Sequence, residues 1–427
     1  MTIMRFLCLN NIKLMLLLPC VVASVSISKG RRFDNEKVFH IKPNNEKEVK
    51  FIKHLDKTMK LDFWKPKSSY HITPKSSVYF HANAQHSETI VRLLNKKGIQ
   101  YKIIIPNLQE AVDNQFREQG KYEKDMPRYH QWKEIAIWAY SLSLGYPNLA
   151  SLVTIGNTFE GHPMHVLKIG NPKTGKKAVF LECGIHAREW ISPAFCQWFV
   201  NEAIHTYGKD EAMTKLLDNL IFHVLPVFNI DGYIFTWTSD RMWRKNRATT
   251  PKENCFGVDL NRNFNASWTD EGIYGKPCSE IYSGTGPESA PETKAVTAHI
   301  REHLSIMKAY ISFHAFSQLL MYPYGYTKEL APDHKELDKI AKSAVDSLYS
   351  LYNTSYKYGP IATTIYPAFG ASLDWTYDEG IEYSFVFELR DNGDYGFLLP
   401  EHEIEPTCRE TMLAVKQIAN YLIDLDT

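Results

Sequence analysis

One short segment of the sequence combines two side chains that bind metal ions well. His186 and Glu189 lie three residues apart in Cys183-Gly-Ile-His-Ala-Arg-Glu-Trp190. This segment follows a predicted strand at 178–181, so a turn leaving the strand can direct both side chains at one ion. Imidazole nitrogen and carboxylate oxygen suit zinc. Two ligands do not make a site, so a third must come from elsewhere in the chain.

His314 is the candidate for the third ligand, because it follows a second apolar strand predicted at 309–313. A zinc ion with three protein ligands keeps its fourth position for water, which is typical of a catalytic site. A histidine and a glutamate three apart also arise by chance in many chains. A lone His314 is also compatible with a hydrogen-bonded histidine of the core.

Glu388 strengthens the prediction, because it also ends an apolar strand, predicted at 383–387. Catalytic groups of open α/β sheets gather at the carboxyl ends of strands. A carboxylate within an apolar strand is costly to bury without a role. The alternative for Glu388 is a buried salt bridge with Arg390.

The elements that position these residues alternate between strands and helices from about residue 129 onward. A further strand is predicted at 222–227, and helices are predicted at 193–203 and 332–352, each opening near a proline. This alternation predicts the fold class α/β, with a mixed β-sheet flanked by helices. Residues 37–120 instead predict a small α+β sandwich, with strands at 38–41, 78–81 and 101–105 and helices at 47–59, 88–94 and 108–116. Its histidines are scattered, which favours surface or packing roles for them.

The charge of the chain is unevenly distributed. The 427 residues carry a formal net charge of +1. Residues 30–117 hold 17 Lys and Arg against 9 Asp and Glu, whereas residues 118–427 hold 29 against 39. The composition excludes a disordered chain, collagen and a small disulfide scaffold, and the charge argues against a nucleic-acid partner.

The start of the chain has the order of a secretory signal. Arg5 and Lys13 precede the apolar run 14–23, which small residues follow. The run is too short to span a bilayer, so no stable membrane insertion is expected. We predict a signal peptide at 1–28 and a protein that is secreted, extracellular or stored in secretory granules. The alternative is a buried helix of a cytosolic protein.

A charged stretch at 117–128 is typical of an exposed domain boundary. It predicts a removable pro-segment at 29–117 and a catalytic domain at 118–427. A trypsin-like protease is expected to cleave between them, near Arg117. An uncut linker is the alternative.

Five cysteines follow the predicted signal peptide. In an oxidising compartment, five cysteines are expected to form two disulfides and leave one free thiol.

Several motifs in order along the chain resemble the zinc carboxypeptidases of the pancreatic A/B type. They are Gly184-Ile-His-Ala-Arg-Glu-Trp190, Gly257-Val-Asp-Leu-Asn-Arg-Asn263, Ser312-Phe-His314, Thr364-Ile-Tyr366 and Phe387-Glu-Leu-Arg390. The resemblance covers essentially the whole chain. Arg32-Phe-Asp-Asn-Glu-Lys-Val-Phe39 and Leu61-Asp-Phe-Trp64 are similar to the mast-cell carboxypeptidase A branch in particular. The resemblance implies the carboxypeptidase fold, one Zn²⁺ per chain and an activation pro-segment.

The resemblance also implies roles for individual residues. His186, Glu189 and His314 would bind zinc, and Asp259 would accept a hydrogen bond from His186. Glu388 would act as general base on the zinc-bound water, and Arg244 would stabilise the oxyanion. The substrate, a peptide or protein C-terminus, would be bound by Arg188, Asn261, Arg262, Tyr366, Leu373 and Phe397. Without the resemblance, Arg244, Asn261 and Arg262 would be interpreted as ordinary surface residues, and Tyr366 as a core aromatic.

Leu373 would lie at the base of the specificity pocket. An acid there would select Lys or Arg, whereas Leu373 offers only apolar contact, as would Ile361, Ala368 and Val386 beside it. We therefore predict release of C-terminal aromatic or large aliphatic residues. Phe316 stands where the family usually has Tyr, and this difference is expected to alter subsite binding modestly.

The cysteine positions and the charge complete the comparison with the family. Cys183–Cys196 and Cys255–Cys278 match disulfides of the family, which leaves Cys408 free. The predicted catalytic domain is acidic, so weak heparin binding is expected even though basic residues cluster at 241–247.

Two other functions remain open at the sequence level. A non-catalytic peptide-binding relative could keep the fold, but it would be favoured by loss of a metal ligand or of Glu388, and all four residues are present. A cytosolic processing enzyme conflicts with the predicted signal peptide.

Overall fold

The structure is a computed structural model that describes residues 30–116, 127–172 and 177–425. The predicted signal peptide and the predicted cleavage site at Arg117 lie outside these residues. Both folded units predicted from the sequence, the small α+β sandwich and the α/β unit with a mixed sheet, are present. No helix among the described residues is long and apolar enough to cross a membrane.

The first folded unit is an antiparallel sheet with two helices on one face and a short third helix after it. Its elements are β1 (Lys37–Ile41), α1 (Glu46–Met59), β2 (Asp62–Lys65), β3 (Val78–Ala82), α2 (Ala84–Lys97), β4 (Tyr101–Ile105) and α3 (Leu108–Asn114). The strand order is β2-β3-β1-β4. The predicted α+β sandwich is therefore confirmed, although the sequence analysis did not identify β2.

Alternation along these strands gives the small sheet two different faces, since successive side chains point to opposite sides. Phe39, Phe63 and Phe80 pack with the helices in a separate core. Trp64 and Tyr79 point the other way and join the main core of the chain. One face of the small sheet therefore packs against the helices of its own unit, and the other face packs against the rest of the protein.

The second unit contains an eight-stranded mixed sheet within the described residues. Its elements are α4 (Trp132–Gly145), β5 (Ala150–Asn157), β6 (Pro163–Ile169), β7 (Lys177–Cys183), α5 (Ile191–Thr206), α6 (Glu211–Asn219), β8 (Leu220–Leu225), α7 (Ile230–Thr238), α8 (Pro291–Glu302), β9 (Met307–Ala315), β10 (Leu319–Tyr322), α9 (His334–Tyr352), β11 (Lys357–Pro360), α10 (Ile361–Thr364), α11 (Ser372–Asp378), β12 (Tyr383–Leu389) and α12 (Ile404–Asp424). The strand order is β11-β10-β12-β9-β7-β8-β6-β5. The predicted α/β class with a mixed, helix-flanked sheet is confirmed.

Neighbouring residues of β8 show that helices cover both faces of this sheet. The ring of Phe222 packs on Phe199 of α5. His223, the next residue, faces His299 of α8. Strands β8, β7, β9 and β12 run parallel, so their carboxyl ends lie along one edge of the sheet.

The predicted element boundaries differ from the observed ones in a few places. The helix predicted at 332–352 begins at His334, because Pro332 precedes the N-cap Asp333. The helix predicted at 193–203 begins earlier, at Ile191, which places Pro193 within the first turn. The strand predicted at 222–227 is observed at Leu220–Leu225.

Candidate active site

The three predicted metal ligands meet at the carboxyl ends of β7 and β9. His186 Nδ1 lies 3.1 Å from Glu189 Oε1 and 3.0 Å from His314 Nδ1. His314 Nδ1 lies 3.1 Å from Glu189 Oε2. The three side chains are buried, with 3%, 1% and 3% of their surface exposed. The structure thus brings together two imidazole nitrogens and a carboxylate around one point.

A tight turn after β7 places His186 and Glu189. Gly184 has φ +70°, and a Cβ there would lie 3.0 Å from the Pro193 side chain, so a larger residue would crowd the start of α5. Ser192 ties this turn to β9: its hydroxyl accepts from Gly184 N at 2.9 Å and donates to Phe313 O. The turn is therefore fixed directly beside the strand that carries His314.

Asp259 orients the ring of His186. His186 Nε2 lies 3.1 Å from Asp259 Oδ1, and the other carboxylate oxygen accepts from Arg244 Nη2 at 2.8 Å. Burial opposes ionisation of Asp259, but Arg244 and His186 outweigh burial and hold its pKa well below the usual range. An ionised Asp259 accepts a hydrogen bond from Nε2–H of His186, which leaves Nδ1 as the lone-pair atom.

These donors fit a metal ion. Burial, together with Arg244, lowers the pKa of His186 to about 4, so the ring is neutral at neutral pH. Burial opposes protonation of His314, but Glu189 outweighs burial and raises the pKa of His314. The ring nitrogens and the carboxylate that face one another therefore favour a positive charge between them. Two histidines and one glutamate form a ligand set typical of catalytic zinc.

Glu388 lies in the same pocket and does not form the alternative salt bridge. Arg390 pairs with Glu403 and Glu410 instead. Glu388 Oε2 is buried and has no hydrogen-bond partner within the described part of the chain, and burial raises the pKa of Glu388, although Lys67 opposes the shift. A carboxylate with a free oxygen and a raised pKa is suited to accept a proton.

The pocket also contains most of the residues predicted to bind substrate. Asn261 and Arg262 lie in a short helical turn that begins at Asp259, and Asn261 Oδ1 accepts from Ser372 N at 2.9 Å. The side chains that line the pocket include Arg244, Asn261, Arg262, Tyr366, Leu373, Ile361, Ala368, Val386 and Glu388. Arg244 and Arg262 are buried, so their interpretation as ordinary surface residues is wrong.

Arg188 and Phe397 lie outside this pocket, where the first folded unit covers them. Arg188 Nη1 lies 2.9 Å from both carboxylate oxygens of Asp62 in β2. The Arg188 guanidinium also stacks 4.3 Å from the ring centroid of Phe397. The ring of Trp64, from the same strand, lies 4.9 Å from Phe397.

Two residues of the first unit, which were not predicted from the sequence, reach the pocket itself. Lys67 Nζ lies 3.4 Å from Glu189 Oε1, and only 10% of the Lys67 side chain is exposed. The ring of His71 stacks on Tyr366 with centroids 4.2 Å apart. The remaining space is about 50 Å³, whereas ligand pockets commonly measure ~300–1,000 Å³. The motif Leu61-Asp-Phe-Trp64, just before Lys67, is the sequence feature that could have indicated that this segment reaches the pocket.

The basic cluster at 241–247 is not a surface patch. Arg241, Arg244 and Lys245 are buried. Arg241 donates to Arg188 O and Phe397 O. The Arg247 guanidinium lies over the Phe235 ring. These cations are engaged inside the fold, so they do not offer a face to a polyanion.

The disulfides implied by the resemblance are present. Cys183 is bonded to Cys196, and Cys255 to Cys278. Cys408 is free and buried. Phe316, the departure from Tyr, packs edge-on against Trp64 and Phe397.

Comparisons with known proteins agree with this geometry. Residues 135–414 match the family model described as zinc carboxypeptidase, and residues 39–115 match the carboxypeptidase activation peptide. The chain is 50% identical to mast cell carboxypeptidase A of Homo sapiens, over 96% of this chain and 99% of that protein. It is 47% identical to carboxypeptidase B of Bos taurus, over 96% and 98%.

A solved structure supports the same assignment. The crystal structure of thrombin activatable fibrinolysis inhibitor matches with a TM-score of 0.87 and 40% identity, covering 92% of this chain and all of that one. The matches support the enzyme rather than a non-catalytic relative. The chain belongs to the zinc carboxypeptidase family and, with its activation peptide, is the zymogen of a carboxypeptidase.

Proposed function

We propose that the activated enzyme removes single aromatic or large aliphatic residues from the C-terminus of peptides and proteins. The observation that carries this proposal is the meeting, in one pocket, of a metal-binding triad, an unpartnered carboxylate and an arginine above an apolar floor. Each of these groups meets one need of the reaction.

His186, Glu189 and His314 would hold one Zn²⁺ per chain. When bound, the ion would supply Lewis-acid polarisation of the scissile carbonyl and a water of lowered pKa. Asp259 keeps His186 in the ligand tautomer through its contact with Nε2.

Glu388 would take the proton of the attacking water on its free Oε2 and then pass it to the leaving amine. Arg244 would stabilise the negative charge that develops on the carbonyl oxygen. Among the described residues its buried Nη1 has no hydrogen-bond partner, although Glu189 Oε1 lies 3.7 Å away, whereas Nη2 is anchored on Asp259. An anchored cation with one free donor is preorganised for this task, and one such donor contributes about 3 kcal/mol.

Recognition of the free C-terminus would depend on Asn261 and Arg262. The Arg262 guanidinium can bind a carboxylate with two parallel hydrogen bonds, and its Nε has no partner in the described structure. Tyr366 would close over the bound residue. A substrate whose C-terminus is amidated lacks the charge that Arg262 requires.

The preference for apolar residues follows from the floor of the pocket. Leu373 is 2% exposed, and Ile361, Ala368 and Val386 lie beside it. A C-terminal Lys or Arg would lose its hydration there without gaining a carboxylate partner, which is strongly unfavourable. Aromatic and large aliphatic side chains pay no such cost.

The precursor would consist of a signal peptide at 1–28, an activation segment at 29–117 and a catalytic domain at 118–427, and the latent form would be what remains after the signal peptide is removed. Asp62, Trp64 and Lys67 of this segment contact Arg188, Phe397 and Glu189, and they block the approach to the pocket. A trypsin-like protease acting near Arg117 would release the segment. The acidic catalytic domain and its buried basic cluster favour weak heparin binding, and the predicted signal peptide favours secretion to the extracellular space or a secretory granule.

One assay tests the proposed reaction. Trypsin-activated protein is incubated with four peptides that differ only in ending with Phe, Leu, Lys or amidated Phe. We expect release of Phe and Leu, little release of Lys, none from the amidated peptide and full inhibition by a zinc chelator. Glu388→Gln is the matched variant, and it should retain zinc and lose activity. Cleavage of the amidated peptide, or activity that survives chelation, contradicts the proposal.

A further inference from the structure

A second group of histidines lies away from the pocket, between β8 and the end of α8. His223 Nδ1 lies 3.1 Å from His299 Nε2. The ring centroid of His303 lies 5.0 Å from that of His223 and 4.4 Å from that of His299. His223 and His299 are buried, with 1% and 4% exposure, and His303 is half-buried. Each ring offers a nitrogen within 4.8 Å of the others.

These rings are costly to bury for packing alone. A polar ring in the core requires a partner for each nitrogen, and an apolar residue would fill the same space without that requirement. His299 lies in the last turn of α8, and His303, four residues later, is the C-cap residue of this helix. Strand β8 presents His223 to the same end of α8. This arrangement of one helical, one C-cap and one strand histidine is suited to a shared ion.

Local hydrogen bonding prepares the rings as ligands. His303 Nδ1 lies 2.8 Å from the His299 carbonyl oxygen, and this bond requires the proton on Nδ1 and leaves a lone pair on Nε2, which accepts from Lys168 Nζ at 2.9 Å. Burial lowers the pKa of His223 to about 2 and that of His299 to about 4, so these two rings are neutral at neutral pH. The C-terminal end of α8 also carries partial negative charge, which favours a cation.

Among the residues that the structure describes, Lys168 is the cation that opposes a metal ion between these rings. It pairs across the sheet with His223, and its Nζ lies 2.9 Å from His303 Nε2. The Lys168 side chain is only half-buried, so it can turn into solvent. Lys168 therefore lowers the affinity of the site for a cation but does not prevent binding.

We propose that His223, His299 and His303 form a second metal site, which binds a divalent ion of the zinc or copper type through three imidazole nitrogens. The fourth position is open to water on the side of Lys168. On binding, the proton shared between His223 Nδ1 and His299 Nε2 moves to the other nitrogen of its ring. Both rings then present a lone pair and remain neutral.

The site is separate from the proposed catalytic centre. His223 pairs with Phe180, which pairs with Tyr310, four residues before His314 on β9. The spacing of residues and strands in a sheet places the two clusters about 16 Å apart. Binding at one therefore leaves the ligands of the other in place.

Metal stoichiometry tests the proposal. The full chain is dialysed at neutral pH against buffered micromolar Zn²⁺, and zinc per chain is measured by mass spectrometry. We expect two ions for the unmodified chain and one for His299→Gln or His303→Gln. His205→Gln, in an exposed histidine of α5, is the matched control and should keep two. Lys168→Met should tighten the second site about tenfold, because the competing ammonium is removed.

A second measurement keeps the result interpretable. Each variant is activated with trypsin, and its carboxypeptidase turnover per chain should equal that of the parent protein, which shows that the fold is intact. His303→Gln, at the half-buried position, serves if His299→Gln does not fold. One zinc ion in the unmodified chain, or two ions in both histidine variants, overturns the proposal. The readout counts ions and does not depend on the roles proposed for Glu388 or Arg244.

Discussion

Replacing Asp62 with Asn tests how the activation segment keeps the enzyme latent. Asp62 faces Arg188 with both carboxylate oxygens 2.9 Å from Nη1. The Arg188 side chain is 1% exposed and that of Asp62 is 23% exposed. Asn has the same shape as Asp but no charge, so the substitution leaves the arginine buried without its counter-ion while the segment stays docked.

The magnitude follows from the burial of the pair. Removing one partner of a fully buried ion pair costs about 3–5 kcal/mol. Asp62 is partly exposed, and the Asn oxygen still accepts one hydrogen bond, so we expect about 2–3 kcal/mol. Undocking lets Arg188 reach water and relieves this cost. At about 1.4 kcal/mol per tenfold change, the undocked fraction should rise about 30- to 140-fold.

The assay measures turnover of a short peptide ending in Phe by the uncleaved zymogen, relative to the trypsin-activated enzyme. Mass spectrometry must show that the chain is still intact. Burial opposes ionisation of Asp62, but Arg188 outweighs burial and lowers its pKa. The stabilisation is therefore complete above the ordinary Asp value of about 3.9 and is lost as the pH falls below it. Measurements near pH 7 report the full effect.

Asp34→Asn is the matched control, because Asp34 pairs with the exposed Arg32 on the surface. It should leave the turnover of the zymogen unchanged. If Asp62→Asn changes this turnover by less than about threefold, then the pair contributes under 1 kcal/mol. In that case the apolar contacts of Trp64, and not the charge pair, keep the segment docked.

Three further outcomes follow from the structure. Asp259→Asn should weaken zinc binding by about 10- to 100-fold, measured by competition with a chelator, because His186 loses the partner that fixes its tautomer. Leu373→Asp should raise kcat/KM for a C-terminal Lys by at least about tenfold and lower it for Phe, because a carboxylate would then pair with the cation; an unchanged ratio would remove Leu373 from the floor of the pocket. Burial raises the pKa of Asp374 to about 7, above the ordinary value, so its ionisation costs stability as the pH rises from about 4 to about 7. The stability of Asp374→Asn relative to the parent protein should therefore increase between about pH 5 and about pH 8 in urea unfolding, and a constant difference would contradict this.

Much of the active site could be predicted from the sequence, because its groups follow strands whose apolar patterns are local. The three metal ligands and Glu388 each follow or end such a strand, and the parallel order of β7, β9 and β12 brings these ends together. The resemblance supplied Arg244, Asn261 and Arg262, whose burial leaves no mark on the local pattern. The missed strands are β2, β5, β6, β10 and β11, which lie toward the edges of the two sheets. Strands β5 and β11 are mostly half-buried or exposed, and β10 is apolar and buried but only four residues long.

The sequence by itself determined the chemistry of the pocket, the fold class and the division into two unlike units. The tertiary structure alone decided what covers the pocket and which charges are buried. Lys67 meets Glu189 across 122 residues, and Arg188 meets Asp62 across 126. The histidines of β8 and α8 meet across 76. Such contacts depend on which surfaces pack against each other, and the alternation of residues along one strand or helix carries no information about the surface that it will face.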